Sequence, residues 1–158
     1  MRNPDGALQP VIATAAAERE GRLAPTGPWL AYSSNENGPR EVYVQSFPTG
    51  RGKWQISRDG GAQPMWSRDG RELFYTSGNR MMVVPVEAGA TFEPGTARVL
   101  FEIPLPERGA GDPGRYAVSP DGKRFMVLTT VPGDKASQPS MNVILNWPAL
   151  SREAAASR

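Results

Sequence analysis

Short apolar stretches, each broken by glycine, proline, asparagine or aspartate, recur along the chain. They fall into three runs. The first holds WLAYSS (29–34), EVYVQSF (41–47) and KWQIS (53–57). The second holds PMWS (64–67), ELFYT (72–76), RMMVVPV (80–86) and RVLFEI (98–103). The third holds RYAVS (115–119), RFMVLTT (124–130) and MNVILNW (141–147). Stretches this short, rich in β-branched and aromatic residues and closed by turn formers, predict strands rather than helices. Short connections between successive strands predict antiparallel sheets. Pro85 lacks a ladder donor, which puts it at an edge or a bulge.

Two of the connections repeat. WSRDGRELFYTSG (66–78) and VSPDGKRFMVLTT (118–130) share a hydrophobe, Ser, any residue, Asp-Gly, a basic residue and an apolar run. Asp tolerates a left-handed backbone and Gly has no Cβ to clash there, so Asp69-Gly70 and Asp121-Gly122 read as hairpin turns. A fainter copy, APTGPWLAYSSN (24–35), keeps Gly27 but has Thr26 where the others have Asp. Gly27 and Gly70 are 43 residues apart, and Gly70 and Gly122 are 52 apart. These spacings bracket the period of about 40–50 residues of propeller blades. The loop PLPERGAGDPG (104–114) accounts for the longer one. ISRDGG (56–61) falls between the last strand of one unit and the first of the next, and reads as a linker.

These residues resemble a known family. SRDG and SPDG, each followed by a charged residue and an apolar strand, resemble the repeats of TolB-like, WD-repeat-like bacterial β-propellers. The stretch from WLAYSS through WSRDGRELFY is similar to the C-terminal propellers fused to bacterial serine/threonine kinases and transcriptional regulators. The resemblance covers residues 22–148. It implies an all-β half-propeller of three blades, flanked by an N-terminal segment (1–21) and a frayed or helical tail (149–158). In such blades strand one lines the central channel and strand four lies at the rim. The chain supplies strands one to four twice, then one to three. LQPVIATAA (8–16) reads as an orphan rim strand.

Three blades alone leave open sheet edges and apolar faces. A homodimer closing six blades, with each N-terminal strand completing its partner's last blade, is the expected assembly. A larger ring of three copies and a fragment of a longer propeller are the alternatives.

Composition narrows the chemistry. The chain has 158 residues, 16 Pro, 17 Gly, no Cys and no His. Disulfides, thiol nucleophiles, His-based triads and imidazole zinc sites are thereby excluded. A net charge of +2 with scattered basic residues argues against nucleic acid as a partner. No apolar run approaches the roughly 18 residues of a membrane span. No signal peptide is evident, which makes the bacterial cytoplasm the default compartment. GAGDPG (109–114) spells a dinucleotide-type glycine pattern, but prolines surround it and a strand follows, so it reads as an inter-blade loop. Trp29, Trp54, Trp66 and Trp147 lie in strand patterns and are expected to pack between blades rather than stack on a ligand.

The remaining candidates enter the channel strands. Glu20, Gln63 and Arg115 occupy equivalent positions before strand one of each unit, with Glu18, Asp59 and Asp112 slightly further back. Duplicated by a two-fold axis, Glu18, Glu20, Asp59, Gln63 and Asp112 are candidate ligands for Ca²⁺ or another divalent cation, with Arg115 lining the channel. Six-bladed propeller hydrolases of the paraoxonase and gluconolactonase types hold a metal there, but this chain shows none of their motifs and the comparison is architectural. The expected function is a binding or scaffold module that offers a polar channel mouth to a peptide, protein or small ligand. The alternative is a metal-dependent lactonase or organophosphate triesterase. The bland alternative is a wet channel in which Glu20 and Arg115 pair.

Overall fold

The computed structural model describes residues 10–88, 91–102, 116–130 and 139–145. Among them the regular elements are all strands. Blade 1 is an antiparallel sheet of β1 (Arg19–Leu23), β2 (Trp29–Ser34), β3 (Glu41–Ser46) and β4 (Lys53–Gln55), in that spatial order. Blade 2 contains β5 (Ala62–Trp66), β6 (Glu72–Ser77) and β7 (Arg80–Ala88); β7 then pairs with both β8 (Phe92–Pro94) and β9 (Arg98–Glu102). Blade 3 comprises β10 (Tyr116–Val118), β11 (Arg124–Thr130) and β12 (Pro139–Leu145).

Strand alternation sorts side chains between two inter-blade cores. On β6, Leu73 and Tyr75 face blade 1 while Phe74 faces blade 3; on β7, Val84 and Val86 face blade 1 while Met81 and Val83 face blade 3. The first core adds Trp29, Ala31, Val42 and Val44 from blade 1. The second adds Tyr116, Phe125 and Val127 from blade 3. A slip of one residue on β6 would exchange the two sets, so the register is held from both sides.

The tryptophan expectation holds for three of the four. Trp29, Trp54 and Trp66 converge on Phe92, with ring centroids 5.3, 5.2 and 6.3 Å from it. Trp147 lies outside the described residues. The connection between the third and fourth strands of blade 2, which lies between two of the apolar stretches, contains β8, whose Phe92 is 2% exposed. Pro85 falls between Val83, paired with β9, and Val86, paired with β8, where β7 changes partner. Its missing donor costs no ladder bond there.

The repeated turn is a side-chain clamp. Gly70 N–H donates to the Ser67 carbonyl at 3.0 Å, and Asp69 Oδ1 accepts from Ser67 Oγ at 2.7 Å and Arg71 N at 3.1 Å. Ser67 Oγ in turn accepts from Glu72 N at 2.9 Å. Ser119, Asp121, Gly122, Lys123 and Arg124 reproduce every one of these bonds. In each turn only the glycine is left-handed, with φ of 72° at Gly70 and 70° at Gly122. Aspartate therefore serves as an acceptor rather than as a left-handed residue. The faint first copy keeps Gly27 at φ 73° and an Ala24 N to Trp29 carbonyl bond of 2.8 Å, without the carboxylate. The 56–61 stretch is the connection from β4 to β5, as its position between units implies.

Residues 10–16 of the N-terminal segment belong to no strand of this chain, and Val11 there is 40% exposed. Leu8, the loop 104–114 and the tail 149–158 lie outside the described residues.

Candidate binding site at the inner strands

β1 and β5 are the first strands of their sheets and touch each other across the blade boundary. Each carries a bulge at the same repeated position. The β1–β2 register shifts between Arg19↔Ser33 and Arg22↔Ala31, and the β5–β6 register shifts between Ala62↔Thr76 and Met65↔Phe74. Inside these bulges Glu20 has φ 61° and Gln63 has φ 56°, and they are the only left-handed non-glycine residues among those described. A left-handed conformation costs an L-residue about 1–2 kcal/mol. Bulges re-aim side chains, and strain of this kind persists where surrounding contacts fix it.

Those contacts cross the blades. Glu20 Oε2 accepts from Gln63 N at 2.6 Å and from Ser33 Oγ at 2.9 Å. Gln63's carbonyl accepts from the Tyr116 hydroxyl of blade 3 at 2.7 Å. One polar relay thus ties the inner strands of all three blades. Burial, and then the neighbouring Glu20 carboxylate, push the Tyr116 hydroxyl far above its ordinary pKa, while Arg22 opposes the shift. It remains a donor at any ordinary pH. Arg40 Nη1 donates to Ser33 Oγ at 3.3 Å. Glu20 Oε1 and Arg40 Nε are buried with no hydrogen-bond partner among the described residues. A buried carboxylate oxygen and a buried guanidinium N–H left open near one serine suit water or a polar ligand group.

Of the sequence candidates, the fold brings Glu20 and Gln63 into direct contact. Glu18 is separate: its carboxylate accepts from Thr14 Oγ1 in the N-terminal segment. Asp59 lies in the β4–β5 connection, where its carbonyl accepts from Ser77 Oγ at 3.1 Å. Asp112 and Arg115 lie outside the described residues. Among the described residues no three acidic side chains gather in a group able to hold a metal ion. Ser33, Arg40 and Tyr116 complete the relay and were not foreseen. Only Tyr116 carried a signal, as the neighbour of Arg115 at the third repeat of the Glu20 position.

No protein-family model and no curated protein sequence matches the chain. Solved structures do. TolB from Acinetobacter baumannii superposes with a TM-score of 0.54 at 17% identity, covering 92% of this chain and 31% of TolB. An oligogalacturonate lyase in complex with manganese superposes with a TM-score of 0.52 at 18% identity, covering 76% of this chain and 34% of the lyase. The fold is that of a TolB-like β-propeller. The chain spans about a third of the length of either neighbour. The Glu20–Gln63–Tyr116 relay joins the first strands of the three sheets, β1, β5 and β10. Among the described residues no helix is long and apolar enough to cross a membrane.

Proposed function

We propose that this chain is a propeller sector that a second copy completes, and that the closed ring presents a polar channel mouth for binding. The observation that carries the binding reading is the relay itself. Two left-handed residues and two bulges are maintained at one repeated position, and a buried Glu20 oxygen is left open there. Completion by a second copy is supported by the strand count among the described residues, four, four and three in blade order, with β8 as an addition to blade 2. It is supported further by residues 10–16, which pair with no strand among the described residues, and by Met126, which is 39% exposed on β11. In β-strand addition, the main-chain bonds of the incoming segment supply much of the affinity.

Binding and catalysis separate in one experiment. The protein is incubated with a lactone and with a phosphotriester, with added Ca²⁺ or Mn²⁺ and again after chelation. The binding reading predicts turnover no faster than in buffer under every condition. Turnover that needs the cation and vanishes on chelation would establish the hydrolase, with Glu18, Glu20, Asp59, Gln63 and Asp112 as the ligands to substitute.

A further inference from the structure

A cleft of about 560 Å³ opens between blades 1 and 2, apart from the inner-strand relay. Its floor is apolar, formed by Ile56, Met82 and Val84, and its polar groups are Arg58, Asp59, Tyr75 and Arg80. The volume is ordinary for a small-molecule site. Of the other polar side chains in the lining, Ser77 Oγ donates to the Asp59 carbonyl and Gln55 Nε2 donates to the Ser57 carbonyl at 2.8 Å, and Thr96 adds a hydroxyl beside Gly95 and Ala97. Tyr75 differs. It is 3% exposed, it lines the cleft, and its hydroxyl has no hydrogen-bond partner among the described residues. The Arg58 and Arg80 guanidinium groups likewise have no ion-pair partner there. The ring of Tyr75 is buried while its hydroxyl reaches the cleft, where it is an open donor for a polar group that enters.

We propose that this cleft binds a small organic anion, a carboxylate or phosphate monoester carried on an apolar body. Arg58 and Arg80 supply the charge, as guanidinium groups recognise planar and tetrahedral oxyanions with paired donors. Tyr75 donates its hydroxyl to the same oxyanion, and the apolar body covers Ile56, Met82 and Val84. Burial, with Glu41 next, pushes the Tyr75 hydroxyl above its ordinary pKa, which keeps it a donor. Two arginines against one aspartate leave the lining net positive. Asp59 gives a partner to any hydroxyl or ammonium that the ligand also carries. The described walls all come from one chain, so the site does not depend on ring closure.

The test is a backbone amide chemical-shift titration of the full chain with hexanoate, hexyl phosphate and 1-hexanol. Both anions should give saturable shifts at Gly60, Ser77, Gly95 and Ala97, and the neutral alcohol should give none. Tyr75→Phe keeps the ring in the core and should weaken anion binding about tenfold, as should Arg80→Gln. Arg58→Gln provides the charge test if Arg80→Gln does not fold. Saturation by one anion alone would fix which oxyanion is preferred and support the site. The proposal is overturned if neither anion saturates, if hexanol binds as well as hexanoate, or if Tyr75→Phe and the arginine variants bind like the parent.

Discussion

Phe92 offers the sharpest test of how the first two blades are held together. It sits on the three-residue strand β8, within van der Waals reach of Trp29 and Trp54 and edge-on to Trp66, and is 2% exposed. Truncating a buried phenylalanine to alanine costs about 3–5 kcal/mol through lost transfer energy and the cavity left behind. The three ring contacts place Phe92→Ala toward the upper part of that range, since aromatic pairs add about 0.5–1.5 kcal/mol beyond area burial. For a chain of this size 1 kcal/mol corresponds to about 2–4 °C in Tm. A fall of roughly 10 °C or more is therefore expected, whereas Phe92→Leu should cost only about 1.5 kcal/mol. The assay is thermal and urea unfolding followed by tryptophan emission, which reports on the same cluster. A Phe92→Ala variant that melts within about 2 °C of the parent, with unshifted emission, would refute β8 as a structural clamp.

Four other outcomes follow from the turns and the relay. Side-chain and backbone bonds hold the Asp69 and Asp121 carboxyls below their ordinary pKa. Their contribution is complete above the unfolded carboxylate pKa and is lost as pH falls through the lower folded value; Tm measured from pH 6 to pH 2 should therefore fall less steeply in Asp69→Asn/Asp121→Asn than in the parent. Glu72, pushed up by burial, acts with the opposite sign, so the same scan in Glu72→Gln should show a steeper acid loss. Gly70→Ala and Gly122→Ala should each cost about 1–2 kcal/mol for the left-handed backbone. Gly70→Ala should be the worse in urea unfolding, because its Cβ would collide with Thr26 Oγ1 whereas that of Gly122 meets Glu72 Oε2 only at 3.8 Å. Tyr116→Phe removes the bond to the Gln63 carbonyl and should cost about 1–3 kcal/mol, read from the same unfolding curves.

Most strands were legible because they carry alternating apolar positions between turn residues, and alternation needs only local sequence; β1, whose one large apolar residue is Leu23, is not among the apolar stretches. The count of four, four and three followed from the two Asp-Gly turns and the fainter Gly27 turn. β8 escaped notice because Phe92 is a single apolar residue in a stretch rich in glycine and proline, and only the three tryptophans of distant segments give it a role. The left-handed backbones of Glu20 and Gln63 were equally hidden. Nothing in either side chain favours φ near 60°; the paired bulges impose it. Alignment on the turn glycines nevertheless placed Glu20 and Gln63 at one repeated position, and the structure joins them. Asp59 could not be separated from them by spacing alone, because the β4–β5 connection carries it to the cleft between the blades. The tyrosine hydroxyl in that cleft had no sequence signal, since Tyr75 reads as an ordinary core residue of β6.

The central claim is that a second copy completes this sector, with residues 8–16 supplying the missing rim strand. Light scattering after size exclusion, on the full chain and on a chain lacking residues 1–17, tests it most directly. Twice the 17.1 kDa chain mass is expected for the full chain, with dissociation or aggregation once the segment is removed. A stable species of 17.1 kDa from the full chain, unchanged in oligomeric state by the deletion, would contradict it.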